Sequence, residues 1–126
     1  MTPNEDEPDA LERIRRALDI FAAERDWGQF HTPKNLAMAL AVEAAELMEI
    51  FQWADGRESF EQLSDFKRVA VEHEVADVLL YLIRFCSVTG IDPLKAAEEK
   101  LKHNAEKYPA DLGKVRTSPP GLRTDW

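Results

Sequence analysis

The stretch NLAMALAVEAAELMEIFQW (residues 35–53) decides the fold class. It contains no Gly or Pro and is built mostly from Ala, Leu, Met and Glu, which lose little side-chain freedom in a helix. Thr32-Pro33 stands just upstream: Thr32 can cap the helix, and Pro33 can take the first helical position, where its missing N–H costs nothing. Asp55-Gly56 ends the pattern downstream. The spacing therefore predicts a long helix ending at about Trp53. Its core-like residues Leu40, Val42, Leu47 and Ile50 sit among three acids, Glu43, Glu46 and Glu49.

Working outward, the same signals recur. Arg57 to Asp65 is polar, and Ser59 with Gln62 can cap a short turn. A third helix is predicted from about Asp65 to Thr89, closed by Gly90. Asp92-Pro93 repeats the cap-plus-proline device, and a fourth helix runs to about Lys107 before Pro109 stops it. On the N-terminal side, Asp9 caps a first helix with Glu12 three residues on, and Leu11, Ile14, Leu18 and Phe21 recur at helical spacing. Asp26-Trp27-Gly28 ends that helix, with Gly28 expected in the left-handed cap position. No segment has a convincing strand alternation and no internal repeat is visible. The expected class is all-α, a four-helix bundle over residues 9–112. Residues 1–8 read as a flexible acidic N-terminus, and residues 113–126 as an extended or disordered tail.

Composition narrows the function. The chain of 126 residues carries 16 Lys plus Arg against 24 Asp plus Glu, a net charge of -8. No cationic surplus exists to displace counterions from a nucleic acid polymer, which argues against such a partner. A small anionic ligand stays possible if metal ions supply positive charge. A single cysteine, Cys86, cannot form an internal disulfide, which suggests a reducing compartment. The apolar runs, Val78 to Ile83 among them, fall far short of the roughly 20 residues of a membrane span, and the N-terminus lacks a basic signal region. The expectation is a soluble cytoplasmic protein with no membrane partner. The third helix is nearly apolar all round between Val75 and Val88, which points to a homo-oligomer, dimer or tetramer, covering it, the alternative being that the first helix and the tail cover it within one chain.

The acids carry the chemistry. Residues three apart lie about 60° round a helix axis, so Glu43 and Glu46 project from nearly one face. Glu74 and Asp77 repeat that spacing on the third helix, flanked by Val75, Val78 and Leu79. Side-by-side packing would bring four acids together. Crowded, desolvated carboxylates must take up protons or bind cations. Oxygen-only ligation suits a hard ion, Mg²⁺ or Mn²⁺. A di-iron bundle would want Glu-x-x-His pairs, and this chain has none. Acid pairs at this spacing are also common on solvated helix faces, so spacing alone leaves metal binding and a plain surface role both open. On the second reading the chain would be a non-catalytic helical interaction module.

The pattern Glu43-x-x-Glu46 followed by Glu74-x-x-Asp77 resembles the metal signature of the MazG-like, all-α NTP pyrophosphatase superfamily. The segments FAAERDW (residues 21–27), QFH (29–31), Pro33-x-Asn35-Leu36, Leu47-x-Glu49-x-Phe51-Gln52-Trp53 and Asp77-Val78-Leu79-x-Tyr81-Leu82 are similar to its dCTP pyrophosphatases, and the likeness spans roughly residues 11 to 112. The resemblance implies hydrolysis of a nucleoside triphosphate to a monophosphate and pyrophosphate, with Mg²⁺ as cofactor. It implies Glu43, Glu46, Glu74 and Asp77 as metal ligands, with Glu49 a further acid of open role. By the same resemblance Trp27 and Trp53 line the base pocket, Tyr81 lies near the sugar, and His31 and Asn35 flank the approach. Lys100, Asn104 and Lys107, at i, i+4 and i+7, match the family's phosphate-side face, although they would equally form a solvated stripe paired with Glu99 or Glu106. One position departs from the pattern. Family members acting on dCTP carry a His nine residues before the first Trp, where this chain has Leu18, which leaves the preferred base open and a broader specificity possible.

Overall fold

A computed structural model describes residues 9–57 and 59–110. The expected flexible N-terminus and C-terminal tail lie outside the described residues. Helix α1 (Ala10–Glu24) leads into a 3-10 turn (Trp27–Gln29), followed by α2 (Pro33–Phe51), a second 3-10 turn (Phe60–Gln62), α3 (Asp65–Thr89) and α4 (Pro93–Lys107). Among the described residues there is no strand, and the chain is all-α.

Each helix starts where a side chain satisfies its free N–H groups. Asp9 accepts from the Glu12 N–H at 2.8 Å, Thr32 from Asn35 at 3.2 Å and Ser64 from Lys67 at 3.2 Å. Asp92 accepts from both Leu94 and Lys95 at 3.1 Å. Such caps are worth about 1 kcal/mol each. Ser59 and Gln62 form a reciprocal capping box on the short turn between α2 and α3. Gly90, at φ 75°, closes α3 in the left-handed conformation that glycine adopts without steric cost.

Two boundaries differ from the sequence expectation. The left-handed residue after α1 is Asp26, at φ 54°, and Gly28 instead lies inside the 3-10 turn. Aspartate is one of the few residues with a side chain short and polar enough for this region. The Gln29 amide braces it by donating to the Asp26 carbonyl at 3.1 Å. Helix α2 stops at Phe51, so Trp53 falls just beyond it rather than on its last turn.

The chain divides into two compact units between Ile91 and Asp92. In the first, α3 is the central rod: α2 and α1 both pack on it. Both run antiparallel to it. His31, ahead of α2, meets Arg84 late in α3, whereas Glu43 and Glu46 further along α2 meet Glu74 early in α3. Likewise Arg15 bonds Ser87, while residues later in α1 reach Leu80 and Asp77. Leu36 and Ile83, at 1% and 2% exposure, anchor this unit, with Ala22, Val71 and Cys86 also buried. A polar clasp ties α1 to α3. Asp19 accepts from Arg84 and Arg15 at 2.7 Å each and from the Ser87 hydroxyl at 2.8 and 2.9 Å. The second unit holds α4. No described helix is long and apolar enough to cross a membrane.

Because Ile83 is enclosed on the central rod, Ile83→Ala should lower unfolding free energy by about 2–5 kcal/mol in urea titration. A loss below about 1 kcal/mol would mean that the core does not centre on this residue.

Candidate active site

The acids predicted to converge do so across the α2–α3 contact. Glu43, Glu46 and Glu74 each offer a carboxylate oxygen within 4.8 Å of the others. Glu43 Oε2 and Glu74 Oε2 are both buried and accept no hydrogen bond. An ionised carboxylate can only accept, so nothing in the cluster itself compensates two buried anionic oxygens. The Glu43 carboxyl is accordingly pushed up to about 7. Burial is the main cause, followed by the close approach of the Glu74 and Glu46 carboxyls, which favours a proton on Glu43, and then by the negative charges of Glu46 and Asp77. The donor set is all oxygen, with orphaned atoms that a small hard cation would satisfy. It fits a divalent ion of the Mg²⁺ or Mn²⁺ type.

Next to the acids opens a cleft of about 160 Å³. Its α1 wall is apolar: Leu18, Phe21 and Ala22. Trp27 and His31 form a second wall, their rings 5.8 Å apart and tilted by 55°. Phe21 meets the Trp27 ring edge to face at 5.5 Å, which fixes the indole against α1. Helix α3 supplies the floor through Asp77, Leu80, Tyr81 and Arg84, residues that share one helical face. Asp77 lies outside the closest trio of acids, yet its charge is felt at Glu43 while its side chain lines the cleft. It is the hinge between a charged half and a flat, aromatic half.

The model of the MazG-like family matches residues 38–118, more than half of the chain and including both acid pairs. The chain belongs to the MazG-like family. Among its relatives, dCTP pyrophosphatase 1 of Homo sapiens is 44% identical over 105 residues, covering 82% of this chain and 62% of the human protein. The Rattus norvegicus protein of that name is 43% identical over the same shares. This MazG-like chain thus spans 62% of the length of these mammalian relatives. A pyrophosphatase from Archaeoglobus fulgidus, known from its crystal structure, superposes with a TM-score of 0.77 at 37% identity, covering 86% of this chain and 100% of the archaeal one.

Not every residue that the resemblance implied gathers at this MazG-like site. Trp27, His31, Asp77 and Tyr81 do. Asn35 instead donates its amide to the Phe30 carbonyl at 2.9 Å, bracing the turn that carries His31. Trp53 is 90% exposed and does not line the cleft, and Glu49 is exposed outside the acid trio. Lys100, Asn104 and Lys107 lie on α4 in the second unit, where the Lys107 ammonium sits 5.4 Å from the Tyr108 ring. Arg84 and Asp19 escaped the sequence reading. Their signal was a lone cation within the apolar run Leu79 to Phe85, and an acid beside the apolar stripe of α1.

The acid cluster sets a pH dependence. Glu43 holds its proton to about 7 in the fold against 4.5 ordinarily. The stability it contributes is therefore complete below about 4.5 and lost as pH rises through about 7. Without divalent ions, the melting temperature should fall between pH 5 and pH 8. Saturating Mg²⁺ should raise it by an increment that grows over that window, as the ion replaces the proton. A Mg²⁺ shift independent of pH in scanning calorimetry would count against ligation by Glu43.

Proposed function

We propose that the chain is a Mg²⁺-dependent nucleoside triphosphate pyrophosphohydrolase. It converts a dNTP, dCTP or a modified dCTP, to the dNMP and pyrophosphate, and so cleanses the nucleotide pool of the cytoplasm. The observation that carries this reading is the joining of two halves at Asp77: an acid cluster short of positive charge, and an aromatic-edged slot suited to a flat ring. Metal ions alone would explain the first half, and an apolar ligand alone the second. A nucleotide chelated through its phosphates engages both.

Glu43, Glu46, Glu74 and Asp77 would hold Mg²⁺, with Mn²⁺ able to substitute. When bound, such an ion acidifies a water for attack at the α-phosphorus and neutralises the triphosphate. The chain's own groups do the rest. The Trp27 indole offers a face or edge to the base, and Tyr81, one helical turn from Asp77, stands where it can sense the sugar. The Lys100, Asn104 and Lys107 face of α4 offers donors suited to the phosphate tail. Trp53 and the other exposed apolar side chains suit burial in a homo-oligomer, a dimer or tetramer, in which Trp53 reaches a base. Leu18 within the cleft supports a second reading on specificity: an apolar wall here removes one polar discriminator, which favours a broader range of bases.

Purified protein with Mg²⁺ should release pyrophosphate from dCTP. Glu46→Ala and Asp77→Ala should each reduce turnover by more than about a hundredfold. Trp53→Ala should raise KM by about tenfold while leaving kcat nearly intact, as expected for loss of one stacking surface. Near-normal turnover by Asp77→Ala would remove the metal assignment. Relative rates on dCTP, CTP and dTTP assign the sugar and base.

A further inference from the structure

Arg84 is the unusual group in the cleft. Its side chain is only 13% exposed and is committed at two points. Nη1 donates to Asp19 Oδ1 at 2.7 Å, and Nε donates to His31 Nδ1 at 2.9 Å. Asp19 is itself held by Ser87 and Arg15, so the guanidinium cannot swing without breaking the clasp between α1 and α3. A guanidinium has no lone pair to offer and keeps its charge in proteins. The bond to Nδ1 therefore requires that nitrogen to be the acceptor, with the ring proton on Nε2. An imidazolium would set two positive N–H groups against each other, and burial together with Arg84 keeps His31 below its ordinary pKa. No acceptor among the described residues meets Nε2.

We propose that Arg84 is a positioning residue that fixes His31 as the neutral Nε2–H tautomer, so that Nε2–H donates to an acceptor atom on the base of a nucleotide seated beside Trp27. This rests on the function proposed above and extends it to base recognition. Leu18 offers no donor and Asp77 only accepts when ionised, so the donors in the cleft lining are the Trp27 indole N–H, the Tyr81 hydroxyl, the remaining Arg84 N–H groups and His31 Nε2–H. Of these, His31 Nε2–H is the one whose tautomer Arg84 sets. Asp19 takes part by holding Arg84.

The test combines nitrogen NMR with kinetics on the full chain. In two-bond ¹H–¹⁵N correlation spectra at neutral pH, His31 should show a protonated Nε2 and an unprotonated Nδ1 shifted by the bond it accepts, and in Arg84→Met the Nδ1 resonance should move to that of an imidazole nitrogen averaging between tautomers. With dCTP and Mg²⁺, His31→Phe and Arg84→Met should raise KM by roughly 5- to 30-fold, with kcat changed by less than about threefold. His31→Gln, whose amide N–H can stand in for Nε2–H, should retain most of the wild-type KM. The two His31 variants decide the matter even if Arg84→Met fails to fold. A wild-type spectrum with Nδ1 protonated overturns the positioning role, and an unchanged KM in His31→Phe overturns the base contact. A wild type that releases no pyrophosphate from any dNTP overturns the function itself and the base contact with it, while the spectrum still reads the Arg84 pairing independently.

Discussion

The rest of the structure turns on the meeting of Glu43 with Glu74 across the α2–α3 contact. Two helices could have packed there through Ala and Leu alone, at lower electrostatic cost. Instead the chain buries an oxygen from each acid without a donor and lets Glu43 keep a proton at pH values where a solvated glutamate has lost it. Such an arrangement is tolerable only because the surrounding core, centred on Leu36 and Ile83, over-determines the helix pairing. Packing supplies the force that holds the acids in register, and their unmet charge is what a divalent ion would satisfy in the function proposed.

A different polar device sets the cleft. Helix α1 is tied to α3 through the Asp19 clasp, beside the apolar Leu18, Phe21 and Ala22 that form the first wall of the cleft. Short paths connect the two devices. Asp77 and Arg84 stand seven residues apart on α3, two turns of one helix, so the acid cluster and the His31–Trp27 corner are carried by the same rigid rod.

Much of this was legible in residue order because the signals are local. Caps at Asp9, Thr32, Ser59 and Asp92 act within three residues, and the helices begin where these side chains stand. The i, i+3 spacing of Glu43 with Glu46 fixes their shared face once a helix exists. Other features were not legible, for physical reasons. Which residue turns left-handed after α1 depends on a competition between Asp26 and Gly28 that propensity scores in glycine's favour, yet the continuing coil through Trp27 decides for Asp26. The Asp19–Arg84 pair joins residues far apart in the chain, and no local period encodes such a distance. Trp53 stands two residues past the last residue of α2 with its side chain exposed, a boundary that helical spacing alone does not fix.

The backbone at Asp26 has a consequence of its own. Trp27 follows directly on the single described non-glycine residue with a positive φ, so the direction in which the indole leaves the main chain is inherited from a local reversal of handedness. A β-branched residue at 26 would resist that reversal and send the ring elsewhere, although it touches neither the acids nor the cleft. The aromatic wall of the site is in this sense a stereochemical choice made one peptide upstream.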